Sequence, residues 1–397
     1  MKKHIERLHQ IANGESRRII GLMSGTSLDG LDIALCHIEK SGTETGLTLE
    51  KFTTIPYEDQ FRDQIRTIFA KRQIDFQQLC LLNPYIGLVH GKMIKETLAN
   101  WNIAPSDIDL IASHGQTVFH APQKQHHLPD FPNATLQIGD GDHIAVETGI
   151  ITISDFRQKH IAAGGEGAPL AVYGDYFLFS KKDENRILLN MGGIANFTYL
   201  PGHLDAAAVF TTDTGPGNTL LDYFTRKLFN KPFDENGAIA ASGTVNELLL
   251  NALKFLPFFS LPFPKTTGPE VFNFEYVETA IQKTGLSSLS NTDLIATLTQ
   301  LSADTISDAI LRTIESEQEY RIYASGGGAH NPVLMQAISQ NLNQDVGLID
   351  ELGVSGDAKE AVLFAVLANE TVAGMQSDFG KKEGVPSISM GKISFPG

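Results

Sequence analysis

Gly21-Leu22-Met23-Ser24-Gly25-Thr26-Ser27-Leu28-Asp29-Gly30-Leu31-Asp32 is the stretch on which the reading of this chain turns. Residues 18–23 are an apolar run, 24–30 are small and polar, and 31–38 are apolar again, so the pattern is strand, turn, strand. A turn without bulky side chains lets backbone N–H groups between Gly25 and Gly30, and the hydroxyls of Thr26 and Ser27, approach a phosphate. Asp29 and Asp32 are placed to hold a magnesium ion directly or through water. The same residues also suit an ordinary β-hairpin turn, where Gly, Ser and Asp are favoured. The stretch is neither a P-loop nor a dinucleotide fingerprint, because it lacks a Gly-Lys-Ser/Thr ending and leads into a strand.

Outward from it, residues 47–56 form a third strand and residues 57–100 carry helical periodicity, with Phe76, Leu79, Leu82 and Ile86 spaced for one buried face. Short strands follow at 110–113, 134–138 and 150–156. The second half repeats the opening: 186–191 is apolar, Gly192 and Gly193 turn the chain, 194–200 is apolar and 206–211 is another strand. Helices at 218–229, 244–255 and 293–315 come next, then a strand at 320–324 that runs into Ser325-Gly326-Gly327-Gly328, with Asn331-Pro332 as cap and first-turn residue of a further helix. A repeated order of strand, glycine turn, strand, strand, helix fits two related α/β halves, 1–153 and 154–397, the last residues being free to pack back on the first half.

The second half carries its own polar elements. The turn in Asn190-Met191-Gly192-Gly193-Ile194-Ala195-Asn196 matches the first hairpin, and Gly326, Gly327 and Gly328 beside Asn331 leave room for a base or ribose against the backbone. In Thr212-Asp213-Thr214-Gly215-Pro216-Gly217-Asn218, a carboxylate at a strand end beside a helix N-terminus suits a base near bound phosphate, although an isolated Asp-x-Gly also caps turns.

Between the halves, Asp155-Phe156-Arg157, His160 and the glycine-rich loop 162–170 that contains Glu166 and Gly167 read either as a linker or as contacts to a polar ligand. In the ligand reading, Arg157 pairs with a carboxylate and Asp155 accepts sugar hydroxyls. His114, Gln116 and Thr117, and Gln137 and Asp140, are further polar sets at strand ends, where open α/β sheets bind ligands. His120, His126 and His127 lie in a proline-containing insertion, 121–132, without metal-ligand spacing, and read as a solvated loop.

With 397 residues, 42% hydrophobic and 19% charged, the chain has the composition of a globular protein of two domains. Its formal charge of −15 disfavours nucleic acid or an anionic membrane as a partner, and is compatible with a nucleotide held by backbone N–H groups and a metal ion. Cys36 and Cys80 read as buried small hydrophobes in a reducing compartment. Residues 1–18 lack the apolar core of a signal peptide, so the expected location is the cytoplasm. A homodimer is compatible with the sequence.

A phosphate turn between antiparallel strands, paired with a second in the other half, resembles the actin, hexokinase and heat-shock chaperone superfamily, which implies an α/β fold of two ribonuclease H-like halves with ATP and sugar in the cleft between them. The combination of GLMSGTSLDGLDIAL, SHGQT, DFR…AAGGEGAPL, NMGGIAN, DTGPGN and SGGGAHN, in that order from Ile19 to Val385-Pro386-Ser387, resembles the anhydro-N-acetylmuramic acid kinase family. The resemblance implies ATP- and magnesium-dependent phosphorylation of a small amino sugar while water opens its anhydro bridge. Asp213 matches the family base that activates the water, and Glu360 matches a substrate-contacting glutamate. The chain departs from the family pattern at His160, where aspartate is usual, and at Glu166, where glutamine is usual; both fall on the presumed sugar side. A kinase for another hexose or amino sugar, or a non-catalytic actin-like scaffold, would share the two hairpins and the glycine loop.

Overall fold

The computed structural model describes residues 1–286, 288–314, 319–374, 377–380 and 384–397. Twelve strands among them form two sheets: β1 (Ser16–Ser24), β2 (Gly30–Glu39), β3 (Gly46–Pro56), β4 (Leu110–Ala121), β5 (Ala134–Ile138), β6 (Thr152–Ser154), β7 (Asn185–Met191), β8 (Ile194–Leu200), β9 (Phe210–Pro216), β10 (Tyr320–Ser325), β11 (Val346–Leu348) and β12 (Lys392–Ser394). The first sheet runs β12-β6-β4-β1-β2-β3 with β5 beside β4, and the second runs β11-β10-β7-β8-β9.

In each sheet an antiparallel meander of three strands is extended by parallel strands on the side of its first strand. The order third, second, first, fourth, fifth therefore occurs twice, once as β3-β2-β1-β4-β6 and once as β9-β8-β7-β10-β11. That shared order is the duplication visible in the sequence, and it is the mixed α/β, two-sheet architecture expected of an actin-like chain.

The chain forms two compact units, one of residues 1–179, 205–208 and 353–397 and one of residues 180–204 and 209–352. Set beside the expected boundary at 153/154, the first unit also holds residues 154–179. It contains the glycine-rich loop.

Five local expectations are corrected. Phe76 stands 74% exposed because it opens the helix Phe76–Trp101 directly after its cap Asp75, and the buried stripe begins only at Leu82 and Ile86. Cys80 is exposed, unlike Cys36, because two residues along a helix is about 200° of rotation from Leu82. β4 continues past Ser113 to Ala121, since the polar residues after it pair with β5. The strand expected at 206–211 starts at Phe210: Ala206–Ala208 forms a 3-10 turn, and Asp213 falls inside β9. The helix expected to end at Glu315 is Asn291–Thr313, and residue 315 lies outside the described residues.

The helix Lys359–Val372, apolar all round and buried from Ala361 to Glu370, packs across β1, β2 and β4. Its approach is backbone on backbone. A Cβ added at Gly21 would stand 1.9 Å from the Ala361 carbonyl oxygen. Replacing Gly21 with Ala is therefore expected to lower stability by about 1–3 kcal/mol, the usual cost of overpacking. A shift of the urea midpoint to lower concentration measures it; an unchanged midpoint would mean the helix yields freely.

Candidate active site

In the first unit, the turn after β1 leaves Thr26, Ser27 and Asp29 exposed and buries Leu28, whose N–H donates to the Gly25 carbonyl at 3.3 Å. Gln116 lies beneath this turn, fully buried. Its Oε1 accepts from Ser24 Oγ at 2.5 Å, and its Nε2 donates to the Gly25 carbonyl at 3.2 Å. Ser24 Oγ accepts in turn from the Tyr57 hydroxyl at 2.7 Å, and that hydroxyl lies 2.9 Å from His90 Nε2. Burial pushes the His90 pKa down to about 4, so the ring is neutral, and with the tautomer protonated at Nε2 every proton in the chain has an acceptor. Tyr57 and His90 were not singled out in the sequence, because neither lies in a motif and their partners are 33 residues or more away.

Three acids gather near this turn. Asp32 Oδ1 accepts from Thr54 Oγ1 at 2.6 Å, while burial and the charge of Asp357 raise its carboxyl above the usual range. Burial and the charge of Asp32 likewise raise Glu360, which Arg157 opposes. The described residues contain no cluster of three or more His, Cys, Asp or Glu side chains arranged to hold a metal by themselves.

The expected sugar-side residues fall into two sets. His114, Gln137, Asp140 and Asp155 line a cavity of about 660 Å³ beside the middle of β4 and the C-terminal ends of β5 and β6. Asp140 also caps the helix Gly141–Thr148, and Asp155 is paired to Lys392 Nζ of β12 at 2.5 Å, a partner 237 residues away. Thr117 accepts from Gln137 Nε2 at 3.0 Å. Arg157, Gly167 and Glu360 do not line that cavity. Arg157 is held down to about 10 by burial; its Nε donates to His114 Nε2 at 2.8 Å and its Nη1 to the Gly167 carbonyl at 2.7 Å.

The two departures from the family pattern have distinct surroundings. His160 is fully buried, with its ring under Gly165 and its Nδ1 accepting the Gly167 N–H at 2.9 Å. The Gly167 peptide is thus gripped at both ends, by His160 and by Arg157. Glu166 pairs with Lys124 of the insertion at 2.7 Å, so its charge is met locally.

In the second unit three separate motifs converge on the end of β7. The N–H groups of Gly217, Asn218 and Thr219 donate to the carbonyls of Gly193, Gly192 and Gly193 at 2.9, 2.8 and 3.0 Å. A Cβ at Gly217 would lie 2.3 Å from the Gly192 carbonyl oxygen, so only glycine permits this approach. Gly326 and Gly328 lie against Asn190 and Met191, and Asn331 caps the helix Pro332–Leu342 as expected. Asn190, Asn196 and Asp213 stand opposite one another across β7, β8 and β9, which puts their side chains in one row.

Asp213 is half-buried. Its N–H donates to the Lys265 carbonyl at 2.9 Å, its Oδ2 accepts the Thr267 N–H at 2.8 Å, and no hydrogen bond holds Oδ1 among the described residues. Burial raises its carboxyl, the Thr267 N–H lowers it, and Glu270 and Lys265 act in opposite directions. Lys265 and Thr267 were missed in the sequence. The available signal was a lysine ending the apolar run 255–264.

The anhydro-N-acetylmuramic acid kinase family model matches residues 17–395. Anhydro-N-acetylmuramic acid kinases from Pseudoalteromonas atlantica (strain T6c / ATCC BAA-1087) and Pseudoalteromonas translucida (strain TAC 125) are 56% and 52% identical to this chain, each alignment covering 100% of both proteins. The kinase of that name from Caldanaerobacter subterraneus subsp. tengcongensis is 37% identical over 98% of this chain and 100% of its own length.

His90, His114 and His160 have pKa values pushed down to about 4, 3 and 4, chiefly by burial. Below the unfolded value of about 6.5 the unfolded chain binds protons that the folded rings refuse, so their contribution is complete above pH 6.5 and is lost as pH falls towards 4. The urea midpoint of His160→Asn is expected to fall less steeply than that of the parent between pH 6.5 and 4. Parallel slopes would show that the ring is protonated in the fold.

Proposed function

This chain belongs to the anhydro-N-acetylmuramic acid kinase family, and from that premise we propose how its residues divide the reaction. The activity is ATP-dependent conversion of 1,6-anhydro-N-acetylmuramic acid to N-acetylmuramic acid 6-phosphate and ADP, a step of peptidoglycan recycling. Asp213 is the base. The observation that carries this assignment is its carboxylate: one oxygen is pinned by the Thr267 N–H and the other is unbonded among the described residues, on a strand whose backbone is itself tied down. Such a group is aimed and still able to accept a proton.

Oδ1 takes a proton from water, the water oxygen bonds to C1 of the sugar, and the C1–O6 bond breaks. The released O6 electron pair attacks the γ-phosphorus of ATP as ADP leaves. Phosphoryl transfer asks mainly for positioning and charge stabilisation. The turns at 25–30 and 192–193, and the glycines at 326–328, are suited to phosphate and nucleotide by their bare backbone. Asn196 and Gly215 flank the base, and Asn331 supports the glycine loop.

Magnesium fits the acids of the first unit. The carboxyl of Asp32, raised by burial and by Asp357, is of the kind a divalent cation relieves, and Asp29 stands exposed at the same turn. Such an ion supplies charge screening of the phosphates. For the sugar, His114, Gln116, Thr117, Gln137, Asp140, Asp155, Arg157, Gly167 and Glu360 remain the proposed contacts or their supports. A cytoplasmic enzyme accords with ATP use, and no helix among the described residues is long and apolar enough to cross a membrane.

Incubation with ATP, magnesium and the anhydro-sugar is expected to yield ADP and the 6-phosphate, with no turnover after chelation of the metal. Asp213→Asn is expected to lower kcat by about 10²–10⁴-fold while nucleotide still binds. Equal rates for the two proteins would remove Asp213 from the mechanism.

A further inference from the structure

β9 is the edge strand of the second sheet, yet its free edge is not bare. Residues 264–267 run along it as a strap. The Lys265 N–H donates to Thr212 Oγ1 at 3.0 Å, the Lys265 carbonyl accepts the Asp213 N–H, and two residues on the Thr267 N–H reaches Asp213 Oδ2. The strap makes these contacts across more than fifty residues of sequence, so it needs an anchor of its own.

The anchor is the Lys265 ammonium. The Lys265 side chain is 6% exposed; its Nζ donates to the carbonyls of Phe258 and Phe259 at 2.9 and 3.1 Å and lies 4.3 Å from the centre of the Phe258 ring. Arg312, from the helix Asn291–Thr313, completes the fastening by donating to the Leu261 carbonyl at 2.8 Å, with its guanidinium 4.6 Å above the Phe263 ring. No carboxylate among the described residues forms an ion pair with Lys265, so this ammonium is held by carbonyls and ring faces alone. Burial and Arg312 push it down to about 8, which is the cost of keeping a charge in that place. Methionine would fill the same space without that cost, and without the two N–H bonds.

We propose that Lys265 is a positioning residue for the base: its ammonium fastens the strap, and the strap holds Oδ2 of Asp213 so that Oδ1 stays directed at water. The proposal rests on the assignment of Asp213 as the base. Released from the Thr267 N–H and from the nearby cation, the Asp213 carboxyl becomes more easily protonated and free to rotate.

The test is the pH profile of the kinase with ATP and the anhydro-sugar. Lys265→Met is expected to lower kcat about tenfold or more with the KM for sugar within about twofold, and to move the acid limb of kcat/KM to higher pH; Lys265→Arg keeps the charge and restores part of both. Thr267→Pro removes the N–H donor while leaving the Lys265 ammonium in place, at the cost of fixing φ at 267 and losing the threonine side chain, and is expected to reproduce the shift of the acid limb. An acid limb that stays in place in Lys265→Met and in Thr267→Pro overturns the proposal. Should Lys265→Met fail to fold, as judged by thermal melting, Lys265→Arg and Thr267→Pro decide it. Asp213→Asn separates the two levels: turnover retained there defeats the base itself, whereas turnover lost there with unmoved acid limbs in the strap variants defeats only the role of Lys265.

Discussion

The first unit depends on a place where two backbones touch without a side chain between them. β1 carries Gly21 at the point where the helix Lys359–Val372 crosses, and the distance to Ala361 admits no Cβ. Because the helix lies this close, its first turn brings Glu360 into the electrostatic neighbourhood of Asp32 and Arg157. The second unit meets the same requirement differently. There, Gly217, Gly326 and Gly328 let two loops reach the end of β7, so that peptide groups meet there without side chains between them. Bare backbone is what leaves N–H groups, which carry fixed partial charge, uncovered by side chains.

Neutral imidazole is the recurring polar support of the first unit. His90 ends the chain of hydrogen bonds beneath the turn after β1, His114 accepts from Arg157, and His160 accepts from the glycine-rich loop. In each case burial keeps the ring uncharged, and in His114 and His160 this lets one nitrogen act as an acceptor where a charged ring could not. The histidine that breaks the family pattern thus faces inward and holds a peptide. Its neighbour Glu166 is drawn to Lys124 and away from the role of a bare carboxylate.

Much of this was legible in the sequence, and what was not has a physical reason. Hairpins, the glycine turns and the Asn331-Pro332 cap are local, written in periodicity and turn chemistry, and the twofold order of strands follows from them. Asp213 was found through its motif, but its position within β9 was not, since Ala206 to Ala208 carry a strand-like apolar pattern in what becomes a 3-10 turn. Lys265, Thr267 and Lys392 act on residues 53, 54 and 237 positions away, and such pairings leave no mark on neighbouring residues. Phe76 and Cys80 show the limit of helical spacing: it finds the buried stripe, and end effects or a rotation of two residues decide who leaves it.

β12 and the helix Lys359–Val372 belong to the first unit, and the Arg17 side chain, itself buried, bonds to Asn369 at a separation of 352 residues. The order in which the ribosome delivers the chain then runs against the order in which the units can close. All five strands of the second sheet have been made by residue 348, when the first still lacks both the helix that covers β1 and its edge strand. The unit that holds the first strands is thus the one whose segments are complete last, and until then the face of β1 and β4 that the helix Lys359–Val372 covers lacks its cover.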